Sequence, residues 1–208
     1  MADDIWKVIH AERRALAADL DGLTDRQWQT RSLCADWTVA QVLAHLLATA
    51  SMTPPAFLGN MIAAGFNFNS FAAKQVARRG ADGPLATLSA FRAASNRISS
   101  PPGPKVTWLG EAFVHGEDIR RPLGLRGHYP LDRVAAVTRF YAGSNALIGG
   151  KRRVDGLTLR ATDTDLTLGS GPEVTGPAVA LMLATAGRGV ALNELRGPGL
   201  DQLRGRFG

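Results

Sequence analysis

The chain has 208 residues, 45% of them hydrophobic, which is enough to build a core as one domain or as two small ones. Its net charge is +6, but the basic residues are scattered in short clusters without interleaved aromatics or a nucleic-acid motif, which argues against a nucleic-acid partner. No stretch approaches the roughly 20 apolar residues of a membrane helix, the first residues do not resemble a secretory signal, and a single cysteine, Cys34, excludes an internal disulfide framework.

We therefore expect a cytoplasmic protein with no membrane partner, and composition leaves its oligomeric state open. The excess of positive charge remains compatible with an anionic small-molecule substrate.

The chain begins with a predicted helix over residues 3–21, whose apolar positions recur with helical spacing until Asp21 and Gly22 break the pattern. Thr24 and Gln27 then have the spacing of a capping box, which predicts a short helix followed by a loop.

A stronger helix start follows at the sequence DWTVAQ. Asp36 and Thr38 are both candidate N-caps, and Thr38 with Gln41 again has capping-box spacing. The apolar stripe behind this start ends before Pro54, and His45 lies at the margin of the stripe. The pattern predicts an amphipathic helix that presents His45 beside its buried face.

Breakers divide the rest of the first 150 residues into further helices. The cluster of serine, proline and glycine at 99–104 separates two of them, and Pro122 with Gly124 must end the helix that follows. The predicted helices cover residues 55–79, with doubtful continuity, 84–99, 106–121 and 131–148.

The pattern changes at Gly149 and Gly150. Two short strand-like runs joined by polar turns indicate a hairpin, and an apolar helix and a broken helical tail come after it. The predicted elements are strands within 154–160 and 165–168, a helix at 178–185 and the tail at 192–204. We interpret residues 1–150 as a helix bundle and residues 151–208 as a small α/β domain.

Glu111 and His115 are four residues apart within the helix predicted at 106–121, so their side chains leave the same face one turn apart. With His45 from a second helix they would form a set of two imidazoles and one carboxylate, which catalytic zinc uses while keeping a fourth position open. Asp118, three residues beyond His115, could orient that histidine as an outer partner.

Spacing alone leaves plainer interpretations open. His45 at a helix margin fits an ordinary surface histidine, Glu111 an ordinary helix carboxylate, and Asp118 a solvated acid beside Arg121. Cys34 has no CxxC partner and no base near it in the sequence, which favours a buried or inert thiol.

Several motifs together resemble a known family. They are DWTVAQVLAHL, the E-x-x-x-H-G-x-D pattern on a later helix, and GPAVALMLATAGRG followed by GPGLDQL. The first two resemble the N-terminal domain of mycothiol-dependent maleylpyruvate isomerases, within the DinB-like superfamily of four-helix bundles. The last two resemble the small sterol-carrier-like α/β domain that often follows it. The implied fold class is mainly α, a DinB-like bundle followed by a small α/β domain.

The resemblance implies that His45, Glu111 and His115 hold a divalent metal, usually zinc. It also implies mycothiol as co-substrate, in an actinobacterial cytoplasm. The expected partners are a low-molecular-weight thiol and a small electrophile, and the expected chemistry is thiol addition, thiol transfer or thiol-assisted cis–trans isomerisation.

Two other classes of function remain open. One is a non-catalytic protein of the same fold that binds a metal or a small ligand. The other is a zinc-dependent hydrolase with Glu117 or Asp118 as general base. Arg188 is a candidate anion contact for a cofactor, although an arginine at a helix end also suits free main-chain carbonyls.

Overall fold

The structure is a computed structural model that describes residues 2–34, 37–146 and 148–207. The chain forms two compact units, residues 1–127 and residues 128–208. Asp36, one of the two candidate N-caps, lies outside the described residues.

In the described residues, the first unit is a four-helix bundle with three further α-helices attached to it. Helices α1, α3, α6 and α7 form the bundle, in which α1 packs against α6 and α7, and α3 packs against the same two helices. The seven helices are α1 (Ala2–Asp19), α2 (Asp25–Trp28), α3 (Val39–Ser51), α4 (Pro54–Ala63), α5 (Phe68–Arg79), α6 (Pro84–Ala94) and α7 (Lys105–Arg120).

The bundle core is formed by the apolar stripes that the sequence places on one face of each helix. Its fully buried members include Leu16 of α1, Leu20 directly after that helix, Leu43 of α3, Phe91 of α6 and Ile119 of α7. Burying a large apolar side chain of this kind contributes about 1.5–3 kcal/mol before the cost in conformational entropy.

Two predicted helix starts are confirmed in detail. Thr24 and Thr38 each accept a hydrogen bond from the main-chain N–H of the residue three positions on, Gln27 and Gln41. In return, each glutamine Oε1 accepts a hydrogen bond from the main-chain N–H of its threonine. The predicted helix at 55–79 is instead two helices, separated at residues 64–67, where Gly65 and Phe66 have positive φ angles of 61° and 57°.

Helix α7 ends as predicted. A single 3-10 turn, Arg121–Leu123, follows it, and Gly124 then adopts the left-handed conformation with φ 73°. This helix is buried on most sides and carries charged residues inside the bundle. The guanidinium of Arg120, 1% exposed, donates to Glu12 and Asp19 of α1.

The second unit is a small α/β assembly around an apolar helix. Its elements are α8 (Leu131–Ala142), α9 (Gly150–Val154), β1 (Thr158–Ala161), β2 (Thr167–Gly169), β3 (Glu173–Gly176), α10 (Ala178–Thr185), a 3-10 helix (Gly189–Glu194) and α11 (Leu200–Arg204). The strand order is β2-β1-β3, with β1 antiparallel to β2 and parallel to β3. Helix α10 packs against α8, α9, β1 and β3.

The predicted fold class, mainly α with a small α/β domain, is confirmed, and three details of the second unit differ. The helix predicted at 131–148 ends at Ala142, because Gly143 caps it and a turn follows. Residues 150–154 are helical, so the first strand begins later than its apolar pattern suggests. Strand β3 was not predicted, because glycine and proline surround it.

The compact units divide between residues 127 and 128, whereas the sequence places the end of the bundle domain at residue 150. Helix α8 packs against α10, which assigns it to the second compact unit. The four bundle helices all end before the structural division, so the bundle does not need α8. The domain assignment 1–150 and 151–208 stays a prediction.

None of the helices in the described residues combines the length and the apolar character required to cross a membrane.

The buried Glu12 carboxyl makes stability depend on pH. Burial raises the pKa of Glu12 to about 7, and the neighbouring Arg120 guanidinium opposes this shift without cancelling it. Because the folded-state pKa lies above the unfolded value of about 4.3, the contribution of Glu12 is fully present below that value and is lost as pH rises through 7. We expect the Glu12-dependent part of the unfolding free energy to fall by on the order of 1–3 kcal/mol between about pH 4.5 and 8.

Urea unfolding at several pH values, compared with Glu12→Gln, measures this term, since a neutral glutamine cannot titrate. A Glu12-dependent stability that instead rises with pH would mean that pairing with Arg120 outweighs the burial of the carboxylate.

Candidate metal centre

His45 reaches the candidate site from helix α3. The capping box at Thr38 fixes the start of this helix, and His45 follows two turns later, with its side chain 13% exposed. The Trp37 ring, immediately before the cap, lies 5.1 Å from the His45 ring between centroids. The Trp37 ring limits the orientations that the His45 imidazole can adopt.

Glu111 and His115 face His45 from helix α7, which packs against α3. Glu111 Oε2 lies 3.1 Å from His45 Nε2 and 3.4 Å from His115 Nε2. One carboxylate oxygen therefore meets the Nε2 atoms of two imidazoles from different helices. The two imidazole rings are arranged edge to face, with centroids 4.9 Å apart.

These distances fit a small divalent cation. Zinc lies about 2.0–2.1 Å from histidine nitrogen and from carboxylate oxygen in proteins. Two ligands at that distance in a tetrahedral arrangement are about 3.3–3.4 Å apart, close to the observed 3.1 and 3.4 Å. His45, Glu111 and His115 have donor atoms that all lie within 4.8 Å of one another, so their chemistry and spacing suit zinc without large movement.

Asp118 orients His115 from the other side of the ring. Its carboxylate is completely buried, and Oδ2 lies 2.8 Å from His115 Nδ1. A carboxylate at this position keeps the proton on Nδ1 and leaves the Nε2 lone pair directed toward His45 and Glu111. Asp118 therefore contacts His115 from the expected side, and its role as the outer partner of a metal ligand stays a prediction.

The site is rich in negative charge. Burial lowers the pKa of His115, but Glu111, Asp118 and a hydrogen bond with Cys34 more than compensate, and the pKa of His115 is raised to about 10. The surroundings therefore favour a positive charge at this point. A proton on the imidazole provides that charge when no other cation does, and a divalent ion would displace it.

Cys34 also belongs to this cluster, which the sequence did not suggest. Its side chain is a hydrogen-bond partner of His115. The Cys34 sulfur, a ring nitrogen of His115 and a carboxylate oxygen of Asp118 all lie within 4.8 Å of one another. The Leu33 main-chain N–H donates to the Asp118 carbonyl oxygen at 3.1 Å, which ties the loop that carries Cys34 to α7. The sequence shows no base near Cys34, whereas the fold places the His115 imidazole beside its thiol; whether the thiol is inert stays a prediction.

The sequence held only an indirect signal for Cys34. The residue precedes the Thr38 cap by four positions, so the loop that contains it must approach the start of the helix carrying His45.

The remaining sequence candidates lie outside the cluster. The Glu117 carboxylate, 2% exposed, accepts hydrogen bonds from Arg121 and from the main-chain N–H of Gly127. Arg188 donates to the main-chain oxygen of Ala186, in keeping with a helix-end role, and its cofactor contact stays a prediction.

Comparisons with known proteins agree with the motifs. Residues 9–102 match the family model described as the mycothiol maleylpyruvate isomerase N-terminal domain, and this confirms the resemblance found in the sequence. The matched range includes His45 and ends before Glu111. None of the curated protein sequences compared with this chain matches it.

Two solved structures are similar in fold. One is the mycothiol-dependent maleylpyruvate isomerase, with a TM-score of 0.62, and the other is a histidine-to-alanine mutant of that isomerase, with a TM-score of 0.60. Each is 14% identical to this chain, and each alignment covers 95% of this chain and 93% of the other. At this identity the likeness establishes a shared fold.

Metal affinity depends on the two imidazoles if the ligand assignment is right. We expect purified protein dialysed against zinc to hold about one ion per chain, and His45→Ala and His115→Ala each to lose it, because two ligands of three remain. Cys34→Ala is the matched control, since it removes a neighbour of His115 but none of the three ligands. Elemental analysis after dialysis measures the stoichiometry. Equal zinc content in the wild type and both histidine variants would contradict the assignment.

Asp118→Asn tests the outer partner by itself. An amide keeps the size of the side chain but cannot hold the Nδ1 proton by charge, so zinc affinity should fall by about 10–100-fold. Competition with a chromophoric chelator measures the dissociation constant, and circular dichroism checks that the bundle is intact. A folded variant with unchanged affinity would show that Asp118 serves packing rather than the metal.

Proposed function

We propose that this chain, whose residues 9–102 match the mycothiol maleylpyruvate isomerase N-terminal domain, is a metal-dependent enzyme that uses mycothiol as its thiol. The reaction is thiol addition or transfer to a small electrophile, or a cis–trans isomerisation through reversible thiol addition. The observation that supports this proposal best is the meeting of His45, Glu111 and His115 at one point between α3 and α7.

The ligand set would suit zinc, with one coordination position left for an exchangeable ligand. Zinc bound there would act as a Lewis acid that lowers the pKa of a coordinated thiol, so that a thiolate forms at neutral pH. His45 and His115 direct Nε2 toward this point, and Glu111 supplies negative charge. Asp118 retains the Nδ1 proton of His115 and so keeps Nε2 available.

The site is recessed yet accessible. The His45 and His115 side chains are 13% and 12% exposed, and Glu111 is 25% exposed. Limited exposure weakens the competition from water for charged groups, while the three side chains still reach the surface. Trp37 forms part of the apolar wall beside His45.

The hydrolase alternative is less well supported by the geometry. A general base must reach a water beside the donor atoms. Asp118 bonds to Nδ1, which is on the opposite side of the ring from Nε2, and the Glu117 carboxylate is occupied by Arg121 and Gly127. The non-catalytic alternative predicts the same metal site, so activity must separate it from the enzyme.

Activity with mycothiol tests the proposal. Zinc-loaded protein should turn over an electrophilic substrate such as maleylpyruvate only when mycothiol is present, and His45→Ala should lose at least about 100-fold of this activity if the metal activates the thiol. Loading with cobalt adds a direct readout, because a thiol that enters the coordination sphere changes the absorption spectrum. Cys34→Ala is the control, and its retained activity would show that the reacting thiol is external.

Each alternative gives a different result in the same experiments. A spectral change with mycothiol but no turnover across a panel of electrophiles would favour the binding protein. Ester hydrolysis that requires zinc and ignores mycothiol would favour the hydrolase. Absence of any mycothiol effect on spectrum or rate would overturn the proposed function while leaving the metal site to its own test.

A further inference from the structure

The second unit contains a cavity lined largely by arginine. Its volume is about 310 Å³, at the lower end of the range for small-molecule sites. The lining residues are Gly149, Arg152, Arg153, Asp155 and Arg206. Three guanidinium groups and one carboxylate give this lining a net charge of +2.

Two of the arginines are held in place by neutral main-chain groups. Arg153 Nη1 donates to the carbonyl oxygens of Ile148, at 3.0 Å, and Thr185, at 2.7 Å. Arg206 donates to the carbonyl oxygens of Arg153, at 2.8 Å, and Asp155, at 2.7 Å. Carbonyl oxygens orient a guanidinium but do not neutralise its charge, so the two side chains are rigid and remain cationic.

The surroundings of Arg153 restrict it further. Its Cζ lies 5.7 Å from the centroid of the Phe207 ring, and a Cβ placed on Gly187 would come within 3.2 Å of Cζ and Nη2. Gly187 has a φ of 88°, a conformation in which glycine is favoured. The guanidinium is therefore packed between a ring and a main-chain segment, a preorganised arrangement.

Arg152 is the third arginine of the cavity lining, and within the described residues its guanidinium does not hold a main-chain carbonyl as those of Arg153 and Arg206 do. Its side chain is exposed, and its main-chain N–H, rather than its guanidinium, bonds to Asn145 Oδ1 at 2.7 Å. Its Nη2 lies 3.4 Å from the position of a Cβ on Gly149, at the cavity wall. Burial lowers the pKa of Arg153, and repulsion from Arg152 and Arg188 lowers it further. An anion bound there would offset this repulsion between positive charges.

We propose that this arginine cavity binds a small organic oxyanion, a carboxylate or a phosphate monoester. A guanidinium offers paired N–H groups whose geometry matches these oxyanions, and a charge-assisted bond of this kind is stronger than a neutral one. A cavity of about 310 Å³ has room for a small molecule. The site lies wholly within the second unit and does not depend on the metal or on the proposed reaction.

Titration of the full chain with inorganic phosphate and with succinate tests the proposal. The two probes separate the sources of the anion, and sodium chloride keeps the ionic strength constant. We expect saturable binding with a Kd of about 1 mM or tighter, accompanied by shifts of arginine side-chain signals in NMR spectra. Competition between the probes would place them in one cavity, and the tighter probe identifies the chemistry of the ligand.

Arg152→Gln is the informative variant, because Arg152 has no carbonyl to hold. We expect this variant to weaken anion binding about tenfold. Arg152→Lys keeps the charge and loses the paired N–H geometry, so its Kd should lie between those of the wild type and Arg152→Gln. Arg160→Gln removes the same charge from strand β1, where Arg160 pairs with Glu173 outside the cavity, and should change the Kd less than twofold.

The proposal would be overturned if binding of both probes failed to saturate by about 50 mM. It would also be overturned if Arg152→Gln and Arg160→Gln weakened anion binding equally. The second result would mean that a diffuse positive field attracts the anions. Matching circular dichroism spectra and melting temperatures for the two variants exclude a folding defect as the cause of any difference.

Discussion

The candidate metal centre depends on the burial of charge along helix α7. Within about one turn near its C-terminus, the helix carries three ionisable side chains that are buried, and each has a separate partner. Arg120 pairs with Glu12 of α1, Glu117 bonds to the chain that follows α7, and Asp118 bonds to His115. An unpaired buried charge costs about 3–5 kcal/mol, so rotation of α7 away from this arrangement is strongly disfavoured. The orientation of α7 about its axis, which these partners hold, also determines the direction in which Glu111 and His115 face.

Described residues before α3 connect the two helices that carry the predicted ligands. Thr38 begins α3, while Leu33, five residues earlier, donates from its main chain to the carbonyl oxygen of Asp118 on α7. The Ser32 main-chain N–H also donates to the Trp37 carbonyl oxygen at 2.9 Å, so residues 32 and 33 are bonded both to the residue before the α3 cap and to α7. The approach of the two imidazole Nε2 atoms to one carboxylate oxygen is thus supported by main-chain bonds outside the site, as preorganised binding requires.

Local signals made much of this arrangement predictable. The capping box at Thr38 and the four-residue spacing of Glu111 and His115 depend only on neighbouring residues, and both appear in the structure as predicted. The meeting of His45 with these two side chains was accessible only as a hypothesis about helix packing. Cys34 escaped prediction because its contact with His115 spans 81 positions of the sequence, and no local pattern records such a contact.

The distinction between local patterns and long-range contacts also explains why the net charge of +6 did not predict the charged sites. Along the sequence the arginines form scattered short clusters, a pattern that argues against a nucleic-acid surface and indicates nothing more specific. Folding brings Arg206, near the end of the described chain, to Arg152 and Arg153, and the three side chains line one cavity. In the first unit, by contrast, carboxylates gather around His115 and favour a cation. Overall charge therefore indicates neither ligand, because each site depends on which few charges the fold collects.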